Sequence, residues 1–135
     1  MKRVSLIIPV NKGREILLQH KSSDAPNNPD TWCLFGGSIE EGESPEQAAR
    51  RELGEELQVS VANLTFFTKT FDTEKELERH YFSTALDVDI DTLKNQQQEG
   101  DDIGFFSLEE MKSLKINQAH YQTLLHFLIL DTKIC

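Results

Sequence analysis

Short apolar runs and longer helical periodicities alternate along this chain, and the alternation predicts most of its elements. Residues 4–10 are continuously apolar except at Ser5, the pattern of a buried strand. Asn11-Lys12-Gly13 reads as a turn leading to a partner strand at 16–18. Residues 21–31, rich in Pro, Asn and Asp, read as a loop, and 32–35 as a short strand ended by Gly36-Gly37. Ser44-Pro45 is a strong helix start, with Gln47 completing a capping box, and this helix is expected to reach Gln58. Residues 59–71 and 79–88 read as strands around a charged turn, 89–102 as a polar loop, and 103–106 as a further strand. Ser107 caps a helix expected to reach Leu114. Asn117 caps a last helix to Asp131, in which Tyr121, Leu124, Leu125, Leu128 and Ile129 recur at helical spacing. Strands and helices interleave, so an α/β fold with a mixed sheet flanked by helices is expected.

A chain of 135 residues is expected to form one domain, residues 1–135, with a core large enough to need no disulfide or structural metal. Cys33 and Cys135 have no metal-site spacing and are expected to be reduced thiols in a cytoplasmic protein. The N-terminal apolar run is too short for a signal peptide, and no apolar stretch approaches a membrane span. The net charge of −9, from 23 acidic against 14 basic residues, argues against binding a nucleic acid polymer. It does not exclude a small phosphorylated ligand, because a bound divalent cation reverses the local sign.

The acid is concentrated on one helix. In residues 36–59, Ala49, Leu53 and Leu57 fall on one face, while Glu52, Glu55 and Glu56 share another at i, i+3 and i+4. Like charges at these spacings destabilise a helix by about 0.2–0.5 kcal/mol per pair. A hard cation that prefers oxygen ligands gives such a cluster a purpose, and Mg²⁺ suits one or two carboxylates plus phosphate oxygens. A solvated acidic face would carry the same residues, but Gly36-Gly37, Arg51 and Glu43 stand around them. The glycines permit close backbone approach, Arg51 can hold a carboxylate in a fork, and Glu43 can pair with Arg51 or favour the helix N-terminus.

Gly37, Glu43, Arg51, Glu52, Leu53, Glu55, Glu56 and Val59 fall in register with G-x5-E-x7-R-E-U-x-E-E-x-G-U, U being aliphatic. The segment resembles the box of the Nudix hydrolase family (MutT-like), with Gln58 at the family's last glycine. Trp32-x-x-Phe35-Gly36-Gly37 and residues 99–114 extend the likeness over nearly the whole chain. The resemblance implies an α/β/α sandwich around a mixed sheet, and cleavage of a nucleoside diphosphate linked to another moiety. It implies Mg²⁺, with Mn²⁺ as a substitute, held by Glu52, Glu55, Glu56 and the Gly36 carbonyl. Arg51 would orient Glu52, and Glu43 would hold Arg51. The general base would be a box glutamate or Glu99, which would also join the metal shell. Phe35, Gly37 and Phe106 are the candidates for substrate contact. The four histidines show no ligand spacing and read as surface or packing residues.

Substrate choice lies outside the box. The markers of the family's ADP-ribose, diadenosine polyphosphate and coenzyme A branches are absent, which leaves a nucleoside triphosphate hydrolysed to monophosphate and pyrophosphate. A catalytically silent nucleotide-binding or regulatory module is the alternative. Homodimers are common in the family, but no interface can be assigned from the sequence.

Overall fold

Two hydrophobic clusters lie on opposite faces of one sheet, and the side-chain period of two along each strand feeds both. The computed structural model describes residues 1–97 and 100–134, with side chains to residue 130. The elements are β1 (Lys2–Val10), β2 (Ile16–His20), β3 (Trp32–Cys33), β4 (Phe35–Ser38), α1 (Pro45–Leu57), β5 (Thr65–Asp72), β6 (Leu77–Ala85), α2 (Ile90–Gln96), β7 (Asp102–Phe106), α3 (Leu108–Met111) and α4 (Gln118–Ile134). Ile7, Leu17, Phe35 and Phe82 pack under α1 and α2 with Ala49, Leu53, Leu57 and Leu93. Their strand neighbours Leu6, Ile8, Leu18, Leu34 and Tyr81 turn to the other face and meet Met111, Leu124, Phe127 and Leu128 of α3 and α4. The sheet is mixed and lies between two helical layers, as expected.

The strand order is β3-β2-β1-β6-β5, with β1 and β6 parallel and the other pairs antiparallel. The expected hairpin of β1 with β2 is nearly absent, since the two pair only at Val10↔Ile16. From there they diverge. β4 takes the vacated edge of β1 from Val4↔Ser38 to Ile7↔Phe35, and β7 pairs with β2. Gly36 and Gly37 therefore lie inside a strand instead of ending one. This strand lies against both β1 and α1, where side chains would not fit.

Other boundaries moved for local reasons. The strand expected at 59–71 begins only at Thr65, because residues after α1 first cover its core as a loop through Val59, Val61 and Leu64. The stretch expected to be loop at 89–102 contains α2, capped by Asp89 and anchored by the fully buried Leu93. The helix after Ser107 stops at Met111, short of Leu114. Among the described residues no helix is long and apolar enough to cross a membrane.

Helix α1 starts as its sequence predicts. Ser44 Oγ accepts from Gln47 N, and Gln47 Oε1 accepts from Ser44 N. Its end is less comfortable: Gln58 is left-handed, at φ 56° and ψ 38°, in the position where the family carries glycine. Such a conformation costs a side-chain-bearing residue about 1 kcal/mol. Gln58→Gly is therefore expected to raise stability by about 1 kcal/mol without changing the fold. Urea denaturation measures this, and a lower midpoint would show that Gln58 makes compensating contacts.

Candidate active site

The register of β4 on β1 and the docking of α1 over both bring the acidic face of the helix to the glycine pair. Ser5 Oγ donates to Pro45 O at 2.6 Å and fixes the first turn of α1 to β1. One residue before the helix ends, Glu56 is 1% exposed, and its Oε2 accepts the Gly36 N–H at 3.1 Å. Glu52 lies against Gly37, where an added Cβ would stand 2.4 Å from Glu52 Oε1. The glycine is thus needed for the close approach of a carboxylate to the strand.

Arg51 organises the remaining acids. Its Nε and Nη2 fork onto Glu43 at 2.6 and 3.0 Å. Its Nη1 donates to Glu52 at 2.9 Å and reaches Glu55 at 3.3 Å, while Nη2 also donates to Ser38 O at 3.0 Å. The Arg51 hydrogen bonds hold the Glu43 carboxyl down at about 2, helped by the Glu40 N–H. The same pairing, with Glu43 first, raises the guanidinium further above its ordinary value. Glu43 and Arg51 thus stay charged at any working pH, and Glu52 is held by a donor that cannot leave. Glu55 is the outermost box carboxylate, with its side chain 59% exposed.

Among the described residues no group of three or more His, Cys, Asp or Glu side chains is gathered so as to hold a metal ion by itself. Glu52 and Glu56 beside the glycine pair, with the exposed Glu55 beyond Arg51, supply carboxylate oxygens that water and substrate oxygens would have to complete. That fits Mg²⁺, which keeps several waters and takes substrate oxygens.

On the α4 side of the sheet, a cleft of about 350 Å³ adjoins Gly36 and Gly37. Val4 and Leu6 form its floor, and Lys21, Arg79, Asn117 and His120 line its sides. Asn117 ties two of these walls together: its Nδ2 donates to Asn28 Oδ1 at 2.9 Å, and its Oδ1 accepts from His120 N at 3.0 Å.

A family model of the NUDIX domain matches residues 1–127. The chain belongs to the NUDIX domain family. The NAD-capped RNA hydrolase NudC of Haemophilus influenzae is 42% identical over 64 residues, 47% of this chain and 24% of that protein. This Nudix chain thus spans about a quarter of that relative's length. The nucleoside triphosphatase NudI of an Enterobacter species is 29% identical over 133 residues, covering 88% of this chain and 92% of NudI. A mutT/nudix family protein from Listeria innocua superposes with a TM-score of 0.78 at 24% identity, over 98% of this chain and 94% of that one, which supports the Nudix fold.

Several Nudix box residues expected to act together are together: Gly36, Gly37, Glu43, Arg51, Glu52, Glu55 and Glu56 form one continuous cluster. Glu99 lies outside the described residues. Phe35 is not placed for substrate contact, because strand alternation turns it under α1, where it is fully buried. Phe106 does not line the cleft either; it packs edge-on against Trp32 with ring centroids 4.9 Å apart. Lys21, Arg79 and His120 were not foreseen, since they come from three separate segments with no shared motif. Arg79 did carry a signal: it alternates onto the same face as buried Tyr81, an unusual place for a cation.

Cys33 is 2% exposed, and burial pushes its thiol up to about 11, so it is a packed thiol and not a nucleophile. His120 is buried and its Nδ1 accepts the Leu34 N–H at 3.2 Å. Burial first, then the nearby Arg79 charge, pushes the imidazole down to about 3. An unfolded histidine takes its proton near 6.5. This contribution to stability is therefore complete above about pH 6.5 and is lost as pH falls towards 3, by up to about 1.4 kcal/mol per pH unit. The urea midpoint is expected to fall between pH 7 and 5, and the fall to be smaller in His120→Asn, whose amide oxygen can still accept from Leu34. An equal fall in both proteins would assign the acid sensitivity elsewhere.

Proposed function

We propose that this Nudix chain hydrolyses a phosphoanhydride bond in a nucleoside diphosphate derivative, in the first instance a nucleoside triphosphate to its monophosphate and pyrophosphate. The observation that carries the reading is Arg51 held between Glu43 and Glu52, with Glu56 fixed to Gly36 beside a cleft of nucleotide size. The near full-length similarity to NudI supports the triphosphate.

In this reading Glu52, Glu56, Glu55 and the Gly36 carbonyl hold Mg²⁺ or Mn²⁺. Such a cation, when bound, neutralises phosphate charge and makes water a better nucleophile. Arg51 keeps Glu52 turned towards the phosphates, and Glu43 keeps Arg51 in place. Burial of Glu56 excludes water from one side of the site, which strengthens every charge interaction there. Glu99 is the candidate to take the proton from the attacking water. The nucleoside lies in the cleft across Gly36-Gly37, with Asn117 able to offer its polar edge. Cys33 as a packed, reduced thiol agrees with a cytoplasmic protein.

Incubation with Mg²⁺ and a panel of nucleoside triphosphates, nucleotide sugars and dinucleotides, with products resolved by ion chromatography, tests this. Monophosphate and pyrophosphate from a triphosphate are the expected products. Tight binding with no turnover of any compound would make the chain a nucleotide-binding module instead.

A further inference from the structure

The chain carries 23 acidic and 14 basic residues, yet the lining of its 350 Å³ cleft inverts that balance. Among the described residues Lys2, Lys21, Lys75 and Arg79 line it, and no carboxylate does. The adjoining recess adds Lys115 and a single acid, Asp72. The N-terminus of α4, 17 residues long and capped by Asn117, opens on the same space and adds the positive end of its dipole. His120 brings no charge of its own, being held neutral.

Arg79 is the decisive group. It is 5% exposed, and among the described residues its ion-pair partner is Asp72 at 3.6 Å, longer than a hydrogen bond. A buried guanidinium without hydrogen-bonded counter-charge is costly, and its planar fork matches phosphate. Its backbone position is set off from the box carboxylates. Arg79 pairs with Val4, and Val4 with Ser38, so two strand spacings, roughly 9–10 Å, lie between Arg79 and the end of β4 next to Glu52.

Resting on the hydrolase reading above, we propose that the cleft binds a second phosphate, carried on the 2′ or 3′ oxygen of the nucleoside's ribose. The preferred substrate is then a nucleotide with a phosphomonoester on the ribose in addition to its 5′ phosphoanhydride. Arg79 grips that phosphate through its fork, and Lys75 and Lys21 close over it from the exposed rim.

The test is calorimetric titration of the intact protein in Mg²⁺, which needs no turnover. For each common ribonucleoside the 5′-monophosphate, the 2′,5′-bisphosphate and the 3′,5′-bisphosphate are compared. One bisphosphate is expected to bind at least about tenfold more tightly than its monophosphate, as a charge-assisted forked contact allows. The bisphosphate that wins assigns the phosphate to the 2′ or the 3′ oxygen. Arg79→Gln should reduce that advantage to less than about threefold, and Lys75→Gln, at an exposed position, should reduce it in part. Equal affinity for all three compounds, absence of binding, or an advantage that survives Arg79→Gln in a folded protein overturns the proposal. So does an Arg79-dependent gain seen only on lengthening the 5′ chain to a triphosphate. Triphosphate hydrolysis without a bisphosphate advantage overturns this inference alone. Bisphosphate selectivity without any hydrolysis overturns the hydrolase reading and leaves the site standing.

Discussion

Glu56→Gln is expected to lower kcat by about 10³-fold, roughly 4 kcal/mol of transition-state stabilisation, while leaving the protein folded. The substitution separates two roles of the same side chain. The glutamine amide oxygen can still accept the Gly36 N–H that Glu56 Oε2 now takes at 3.1 Å, so the helix stays tied to β4. What is lost is a negative charge in a position 1% exposed to solvent and within the acidic cluster of Glu52 and Glu55. Because the amide keeps the Gly36 contact, the unfolding midpoint measured in a chelator should hold. Activity is thus expected to fall while stability holds, which a merely structural residue would not do. Glu55→Gln, at an exposed position whose carboxylate among the described residues meets Arg51 at 3.3 Å, should cost much less activity. Steady-state kinetics in Mg²⁺ on both variants settles the ranking. If Glu56→Gln retained a tenth or more of wild-type kcat, Glu56 would not be the carboxylate that carries the chemistry.

Gly36→Ala is expected to cost more than about 4 kcal/mol, most of the stability of an ordinary domain, and to yield little soluble protein. Gly36 has φ +148°, a backbone region that L side chains rarely adopt. Its Cβ would stand 2.0 Å from Ser5 O and 2.9 Å from Leu6 Cα. Both are main-chain atoms of β1, which is held on its other edge by the parallel β6 and cannot retreat. Gly37→Ala makes the informative contrast. There the three atoms nearest the Cβ all belong to the Glu52 carboxylate, the far end of a side chain that can shift. That variant should fold and, on the proposed reading, lose activity, because Glu52 would leave its hydrogen bond to Arg51. Thermal unfolding of the two variants distinguishes them; equal stability would mean that β4 does not lie against β1 as described.

Both predictions rest on residues that the sequence brings forward, and it is instructive which others it leaves silent. The helix start, the shared face of Glu52, Glu55 and Glu56, and the pairing of Arg51 with Glu43 are local matters. Capping geometry and a 100° turn per residue fix them within about fifteen residues of chain. Most strands were legible for a similar reason, as short apolar runs bounded by turn residues, but β4 was not, because Gly36-Gly37 reads as an end. The missed helix α2 also had a local signal, the cap at Asp89, but its one buried side chain, Leu93, could not be known to find a core.

The sequence by itself determined the family, the alternation of strands and helices, and the composition of the acidic site. All three reside in short-range patterns. Only the tertiary structure decided that β1 and β2 part after a single residue pair, so that β4 and its glycines fill the gap against α1. It also turned Phe35 into the core and gathered Lys21, Arg79, Asn117 and His120 into one cleft. Those placements depend on which strand edges pair and which face each strand turns inward. Such choices are made by burial summed over the whole sheet, and no local stretch of sequence carries them.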